Sequence, residues 1–395
     1  MRHHPKSVLA ITLSVAASIW WASVQNYSSN ADERIYSRQE CAEDLCKISY
    51  DLAQFALYRN DTNGAIAHLK KAIDYKPSEL LPYQKLSACY QELAHYEQAL
   101  NVYLAARHAT AGNSARRAAR DRRALLQNPL PWQGENITGK KLYVDADYSL
   151  EDSICFLRFL PLLQAFKAMV FCKVPHLLLP LCNNSFPSVQ FFSDGTAEHT
   201  PSCDYYVPIT CLPLFLNITL KTLTPSKAYL VAEQTQVAAK KTIFSSDKIH
   251  IGLWWYNHMP KNTIPLSLLQ DLAVTPNIEL YALQPMHYSN ANIIDLSSEC
   301  HTVHETAALL ANLDVMIAID SPVAHLAGAV GTPVWLLAKH VPDDWRWSVA
   351  RVENTSAWYP GMRIFQQQKA GDWLSVIADV QEALIGQHFQ ATGER

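Results

Sequence analysis

The segment IAIDSPVAHLAGAVGTPVWLLA, residues 317–338, constrains the fold of this chain more than any other stretch. It begins and ends with apolar runs that are typical of buried strands. Between them, Pro322 stands where a helix can begin, and Gly331 stands where it can end. The segment therefore predicts a strand, a short helix of small residues and a second strand, as in a sheet buried on both faces.

Short apolar runs alternate with helix-length segments over most of the chain after residue 129. The predicted strands are 141–145, 176–181, 204–209, 248–255, 278–284, 314–320 and 333–338. The predicted helices are 152–171, 265–273, 304–313, 322–330 and 372–388. This alternation predicts parallel sheets covered by helices. A change of pattern near residues 245–248 divides it into two α/β lobes, 129–245 and 246–388, with a ligand expected in the cleft between them.

The helix predicted at 322–330 is a candidate binding element. Its free N–H groups and positive dipole end point toward the expected cleft and suit a diphosphate. Asp320, Ser321, His325 and Gly328 lie on or beside this helix. The alternative is that Asp320 only caps the helix and that His325 is a packing histidine.

Several motifs of the second lobe together resemble one family. They are DSPVAHLAGAVGTPVW (320–335), PDDWRW (342–347), WYPGMRIF (358–365), GDW (371–373), ETAALLANLD (305–314), NTIPL (262–266) and IGLWW (251–255). With them the chain resembles the bacterial proteins that join tetratricopeptide repeats to a heptosyltransferase-like domain. That domain belongs to glycosyltransferase family 9 and has the two-lobed GT-B fold. The similarity covers roughly residues 130–385.

The resemblance implies transfer of a sugar from a nucleotide-sugar donor to a hydroxyl of a glycan or lipid acceptor. It implies that Asp320, Ser321, His325, Gly328 and Arg363 hold the donor. It also implies that neither a metal nor a bound cofactor is needed, because helix dipoles and side-chain donors neutralise the leaving diphosphate. The base that deprotonates the acceptor hydroxyl is expected in the first strand-to-helix turn of the amino lobe.

That turn reads ADYSLED, residues 146–152, and it departs from the family pattern a-E-Q-G-L-G-D. The register places Asp147, Tyr148, Ser149, Leu150, Glu151 and Asp152 on the pattern. The terminal acid remains as Asp152, the candidate base, but Ser149 and Glu151 replace the two glycines. Two family arginines are also replaced, by Asn262 in NTIPL and by Gln366 in RIFQQ. These changes remove flexibility or positive charge from the expected cleft.

Residues 32–128 are expected to form a helical region. Five pairs of residues match in size at a spacing of 34: Leu52/Leu86, Ala56/Tyr90, Ala65/Ala99, Leu69/Tyr103 and Ala72/Ala106. This periodicity resembles two tetratricopeptide repeats, preceded by a helix over 33–47. Such repeats are expected to bind a protein partner. NSARRAARDRRALLQ (113–127) reads as a further helix, with a solvated basic face or a face that binds an anionic lipid or phosphosugar.

Residues 1–31 are expected to be a signal anchor or a signal peptide. SVLAITLSVAASIWWASV (7–24) carries no charge and follows Arg2 and Lys6. The length suits an uncleaved membrane anchor. The charge order then places the body outside the cytosol, in the periplasm, and the alternative is the cytoplasmic face of the inner membrane.

Cysteine count and charge restrict other classes of function. The nine cysteines include no CxxC pair, and Cys41 and Cys46 read either as a bridge or as two helix residues. His301 and His304 have the spacing of two metal ligands on a helix, but the sequence shows no third ligand. Both are therefore expected to be loop histidines that bind no metal. The chain has 33 Lys and Arg residues against 36 Asp and Glu residues, so it has no excess of positive charge that would indicate binding of nucleic acid.

Three functions are consistent with these features. The first is an active glycosyltransferase of GT-B fold, with Asp152 as its base. The second is a scaffold of the same fold that has lost transfer. The third is a membrane-anchored tetratricopeptide adaptor that binds a protein or a surface glycan.

Overall fold

The computed structural model describes residues 38–59, 61–92, 98, 101–102, 105, 129–146, 149–193, 202–219, 222–223, 228–245, 247–256, 263–284, 292–340, 342, 344–347 and 354–386. The segments 1–31 and 113–127, most of the second predicted repeat, and Asp147, Tyr148 and Asn262 lie outside these residues. Within them, no helix has both the length and the apolar character needed to cross a bilayer.

The described residues form three consecutive helices, followed by two parallel sheets whose strands alternate with further helices. The helices are α1 (Arg38–Tyr58), α2 (Thr62–Tyr75), α3 (Leu80–Glu92), α4 (Leu150–Leu157), α5 (Leu179–Ser185), α6 (Leu212–Phe215), α7 (Gln234–Lys241), α8 (Leu266–Gln270), α9 (Val303–Leu310), α10 (Pro322–Val330) and α11 (Trp373–Gly386). The strands are β1 (Leu130–Pro131), β2 (Lys141–Asp145), β3 (Met169–Lys173), β4 (Gln190–Phe192), β5 (Tyr205–Pro208), β6 (Ile249–Trp254), β7 (Ile278–Ala282), β8 (Ile294–Asp295), β9 (Val315–Ile319), β10 (Val334–Ala338) and β11 (Met362–Gln366).

The first three helices pack in chain order, α1 on α2 and α2 on α3. Their small core contains Ala53, Ala65, Leu69, Leu86 and Cys89. The sequence predicts a separate helix over 33–47, but α1 runs without a break from Arg38 to Tyr58. Cys46, Ser49 and Ala53 explain this continuity, because they share one buried face across the expected boundary. Cys41 and Cys46 are both free thiols on this helix.

The first sheet has the strand order β1-β5-β2-β3-β4, and the second has the order β11-β10-β9-β6-β7-β8. Every pair of neighbouring strands is parallel. The predicted mixed α/β architecture with parallel sheets is therefore confirmed. Apart from the short edge strand β1, successive strands of each sheet are added on one side of its first strand and then on the other side. The direction reverses between β2 and β5 in the first sheet and between β6 and β9 in the second.

Two predicted elements of the amino lobe are wrong. The helix predicted over 152–171 ends at Leu157, and a 3-10 helix (Leu160–Phe166) with Pro161 in its first turn and the strand β3 follow it. The strand predicted at 176–181 is a 3-10 turn (His176–Leu178) that leads into α5. Pro180 stands in the first turn of α5, where a missing N–H costs nothing.

One hydrophobic core extends through both lobes. It joins residues of the first sheet, such as Val144 and Val207, to residues of α9, α10 and the second sheet. A second cluster fills the opposite face of the second sheet, under α8 and α11. Because the lobes share a core, α4 of the amino lobe packs directly on α10 of the carboxyl lobe.

Candidate functional site

Both candidate turns lie at the points where the strand order reverses. ADYSLED follows β2, and Asp320 follows β9, so each turn stands at the carboxyl end of a strand beside its sheet's reversal point. Ligands of open parallel sheets bind in the crevice that forms there. Since α4 packs on α10, the elements that follow the two turns are in contact.

Two serines, Ser149 and Ser153, hold the ADYSLED turn and the start of α4. Ser149 caps α4 with φ −59° and ψ 151°, an ordinary extended conformation, and its Oγ accepts from the Asp152 N–H at 3.2 Å. Ser153 Oγ donates to the carbonyl oxygens of Ala146 and Ser149, at 2.7 and 2.9 Å. At Ser149 the turn therefore needs no residue with positive φ, and glycine loss there does not strain the backbone.

The turn that carries Asp320 forms as the sequence predicts. Ser321 caps α10, where its Oγ accepts from the Ala324 N–H at 3.3 Å and donates to the Ile319 carbonyl at 2.9 Å. Pro322 is in the first turn, and Gly331 ends the helix with φ 94°. Ser321 is buried, and Asp320 is partly exposed at the mouth of the crevice.

His325 is wholly buried on the next turn of α10. Its Nδ1 lies 2.8 Å from the Tyr359 hydroxyl, and its Nε2 lies 3.6 Å from Asp344 Oδ2, beyond hydrogen-bond distance. The Trp347 ring lies 4.7 Å away between centroids. Burial, followed by the nearby Arg346 charge, lowers the pKa of His325. The imidazole is therefore neutral at physiological pH.

Gly328 is required by packing. A Cβ at this position would lie 2.4 Å from Tyr359 Cδ1, so only glycine lets the ring lie against the helix. The Tyr359 hydroxyl is in turn the partner of His325. Gly328 therefore shapes the site through the Tyr359 ring.

Arg346 connects the two lobes, and the sequence did not reveal it as a site residue. Its Nη1 donates to Asp152 Oδ1 at 3.1 Å, which joins the carboxyl lobe to the candidate base. Its Nε donates to both carboxylate oxygens of Asp344, at 2.9 and 2.8 Å, and its Nη2 donates to Asp344 Oδ2. The side chains of Arg346 and Asp152 are only 5% and 6% exposed, so this ion pair is shielded from water.

The carboxylates of the cluster titrate in opposite directions. Burial would raise the pKa of Asp344, but the Arg346 guanidinium and the neighbouring His325 together hold that pKa below its usual range. Burial, followed by repulsion from Asp344, raises the pKa of Asp320 to about 7. The Glu151 charge adds to the second effect. A neutral, protonated Asp320 can donate a hydrogen bond to a sugar hydroxyl.

Asp320, His325 and Asp344 also form a metal-type group, because one ligand atom from each lies within 4.8 Å of the others. One nitrogen and two carboxylate oxygens suit a divalent ion. Arg346, however, already supplies the positive charge beside Asp344. His304 takes no part in such a group. The prediction of a loop histidine is wrong for His304, which lies in the first turn of α9, with its Nε2 3.0 Å from Glu233 Oε2.

Arg363 lies apart from the other predicted donor residues. It is exposed on the edge strand β11, with its guanidinium 4.5 Å from the Phe365 ring centroid. Through Trp335 it is level with Ile317, two strands away and three residues before Asp320. The separation is about 10 Å along the strands and about 10 Å across them. Arg363 instead lines a surface groove of about 600 Å³ with Asp379 and Glu382.

The raised pKa of Asp320 predicts a pH-dependent stability. The unfolded carboxyl loses its proton near its usual pKa of 3.8 and the folded one near 7, so the folded state holds an extra proton between these values. Stability therefore falls as pH rises across that window. Partial exposure reduces the effect to about 2 kcal/mol. The buried His325, whose pKa is lowered, acts in the opposite direction in both proteins. Urea unfolding at pH 5 and pH 8 should therefore show that the wild type loses about this much more stability than Asp320→Asn.

The control for this prediction is Asp379→Asn, which removes an exposed carboxylate from α11. It should keep the pH dependence of the wild type. An Asp320→Asn protein that loses as much stability as the wild type between pH 5 and pH 8 would show that Asp320 ionises normally.

The chain is similar to a few known proteins. No protein family model matches the chain. The chain is similar to Protein FlbA of Caulobacter vibrioides, with 24% identity over 293 residues, which cover 64% of this chain and 48% of FlbA. The chain thus spans about half the length of the curated relative it matches.

Two solved structures are similar at lower identity. One is the glycosyl transferase family 9 protein from Veillonella parvula, with a TM-score of 0.45 and 13% identity over 64% of this chain and 99% of that one. The other is the ADP-heptose LPS heptosyltransferase II of E. coli, with a TM-score of 0.45 and 14% identity over 62% of this chain and 98% of that one. The two-sheet fold of this chain is established by the strand order and register of its own sheets.

Proposed function

We propose that this protein is a glycosyltransferase that moves a sugar from a nucleoside-diphosphate sugar to a hydroxyl of a glycan or lipid acceptor. One observation carries the proposal. Arg346 binds Asp152 and Asp344 at once, and Asp344 lies beside Asp320 and His325, so the first turn of α4 and the start of α10 meet at one cluster between the lobes. A base on one lobe and a donor site on the other are the two parts that such a transfer needs.

Each residue has a defined role in this proposal. The N-terminus of α10, with Ser321, faces the diphosphate, and its N–H groups and dipole stabilise the charge that develops on the leaving group. Asp320 hydrogen-bonds the donor sugar. The acceptor oxygen attacks the anomeric carbon, the bond from that carbon to the diphosphate oxygen breaks, and Asp152 receives the acceptor's proton. His325 positions the Tyr359 ring through its hydroxyl group.

Calorimetric titration of the full chain tests this function. ADP-sugars and UDP-sugars, including ADP-heptose, are the donors to compare, and at least one should bind with a dissociation constant in the micromolar to millimolar range usual for such substrates. Nucleoside monophosphates are the control, because they lack the second phosphate and should bind more weakly. If none of these donors binds, the chain is not a transferase of this kind.

A transferase-inactive scaffold is the second candidate, and the charge of the cluster favours it. Asp152, Asp320, Asp344 and Glu151 place four carboxyl groups around the Arg346 guanidinium. Such an excess of acid repels a diphosphate. On this reading the lobes are a rigid platform for the helices before them, and no titration should detect a donor.

The first proposal has two further parts. The helical region binds a protein partner, and residues 1–31 attach the protein to a membrane. Their support is the 34-residue spacing in the sequence and the uncharged run before residue 25. The third helix, α3, lies against the turn Trp345–Trp347 that carries Arg346, so a partner on these helices would lie close to the site. The body is then periplasmic, or lies on the cytoplasmic face of the inner membrane, where nucleotide sugars are made.

A further inference from the structure

The buried imidazole of His325 presents a lone pair to the cluster. Its Nδ1 lies 2.8 Å from the Tyr359 hydroxyl, and the hydroxyls of Tyr359 and Tyr229 are hydrogen bonded to each other. Tyr229 donates to the Ile154 carbonyl, 3.0 Å away, because a carbonyl oxygen can only accept. Each hydroxyl has one hydrogen, so Tyr359 donates to Tyr229 and accepts from His325 Nδ1. Nε2 of the neutral imidazole is therefore an acceptor.

This lone pair faces carboxylate oxygens. His325 Nε2 is buried, has no hydrogen-bond partner among the described residues, and lies 3.6 Å from Asp344 Oδ2. One ligand atom from each of Asp320, His325 and Asp344 lies within 4.8 Å of the other two. Acceptors that face one another repel, and a positive ion between them would satisfy all three.

The two more deeply buried ligands already have the outer partners that metal ligands use. A ligating histidine usually donates its other ring N–H, and a ligating carboxylate is itself hydrogen bonded. His325 donates Nδ1–H to Tyr359, and Asp344 accepts from the backbone N–H, Nε and Nη2 of Arg346. These groups supply three hydrogens, and a carboxylate has about four lone-pair sites, so one site of Asp344 remains for an ion.

We propose that Asp320, His325 and Asp344 bind one divalent transition-metal ion between the lobes. One imidazole nitrogen and two carboxylate oxygens suit Mn²⁺ or Zn²⁺. Ligand atoms of one such ion lie about 3 to 4 Å apart, so side-chain shifts below about 1 Å complete the site. A ligating carboxylate is deprotonated, so the ion takes the place of the proton on Asp320. Such an ion departs from the metal-free donor site that the resemblance implies.

The ion also changes the charge that a diphosphate meets. Asp152, Glu151, Asp320 and Asp344 place four carboxyl groups around the Arg346 guanidinium. A divalent ion offsets part of this acid and can bind phosphate oxygens directly. This second role rests on the proposed function, whereas binding of the ion itself does not.

Metal binding by the full chain tests the site. The protein is stripped with a chelator, freed of it and dialysed against Mn²⁺ or Zn²⁺, and the bound metal is measured by elemental analysis. The wild type should bind an ion that Asp320→Asn, which removes a charged ligand, binds about 10-fold or more weakly. His325→Gln should weaken binding as much and should abolish the nitrogen hyperfine coupling in the spin-resonance spectrum of bound Mn²⁺.

His304→Gln is the matched control. His304 also faces a carboxylate, Glu233 Oε2 at 3.0 Å, but lies outside the cluster, so this variant should bind the ion as tightly as the wild type. A wild type that binds neither Mn²⁺ nor Zn²⁺, or an Asp320→Asn protein with wild-type affinity, would overturn the site. If the buried His325→Gln variant does not fold, Asp320→Asn still decides, because Asp320 is partly exposed.

Titration of ADP with and without Mn²⁺ tests the second role. Mn²⁺ should raise the affinity for ADP about 10-fold in the wild type. The gain should be much smaller in Asp320→Asn, which controls for Mn²⁺ bound to ADP in solution. ADP binding that does not respond to Mn²⁺ would overturn this role and leave the ion site standing. If ADP binds under neither condition, the proposed function and the second role both fail, and dialysis still decides the ion site.

Discussion

Replacing Asp152 by asparagine is expected to reduce sugar transfer by about 10²- to 10⁴-fold, the usual contribution of a general base. Asn keeps the shape of the side chain and an oxygen for Arg346, which lies 3.1 Å away, so the fold should survive. Donor binding should be retained or tightened. The measurement is release of nucleoside diphosphate with acceptor present, compared with donor affinity from calorimetry on the same preparation.

Glu151→Gln is the matched control for this loss. Glu151 is the neighbouring acid in the first turn of α4, and its charge also acts on the cluster at Asp320. Removing that charge should leave turnover intact and strengthen donor binding, because one less carboxylate opposes the diphosphate. Equal losses of turnover in both variants would mean that Asp152 has no special role as a base.

Replacing Arg158 by alanine is expected to destabilise the protein by about 3 kcal/mol, with a fall in melting temperature of roughly 4 °C. Arg158 is a buried cation on the amino lobe whose Nη1 donates to the Trp358 carbonyl of the carboxyl lobe. Its guanidinium also lies 4.7 Å from the Tyr359 ring centroid and 5.0 Å from that of Tyr229. Alanine leaves a cavity between the lobes and removes the hydrogen bond from Arg158 to the Trp358 carbonyl.

Arg363→Ala provides the comparison, because Arg363 also lies over aromatic rings but is exposed. Surface cation–π contacts contribute about 0.5–1 kcal/mol, so this variant should melt close to the wild type. The measurement is thermal and urea unfolding of both variants. If Arg158→Ala and Arg363→Ala were equally stable, Arg158 would not stabilise the packing of the two lobes.

The carboxyl lobe could be predicted from sequence because its signals agree at every level. The strands β9 and β10 are uniformly apolar, Pro322 and Gly331 stand at the ends of the intervening helix, and small residues fill it. Each of these features has one physical meaning in a buried parallel sheet. The turn that follows β9 was therefore found together with Asp320, Ser321 and His325.

The amino lobe was harder to predict because its apolar runs are continuous. Residues 152–171 are predicted as one helix, but Pro161 falls in a 3-10 turn and Met169–Lys173 is the strand β3. A short apolar run such as 176–181 is compatible with a strand or a helix, and tertiary contacts decided for the helix. The edge strand β11 was missed because residues 362–366 look like part of a loop rich in aromatic residues.

The centre of the site could not be read from sequence for a different reason. Arg346 and Asp152 are 194 positions apart, and their contact exists only because the lobes pack through one core. The signal that was available is the alternation of acid, arginine and tryptophan in PDDWRW. Charged residues between large aromatics are usually buried and paired, so Asp344 and Arg346 could have been added to the candidates.

The most direct test of the central claim combines the donor titration with hydrogen exchange on the same samples of the full chain. We expect that a nucleotide sugar binds and slows exchange at the backbone N–H groups of residues 149–152, 321, 323 and 324, in the first turns of α4 and α10. Absence of binding by every donor, or protection confined to the groove beside Arg363, would contradict it.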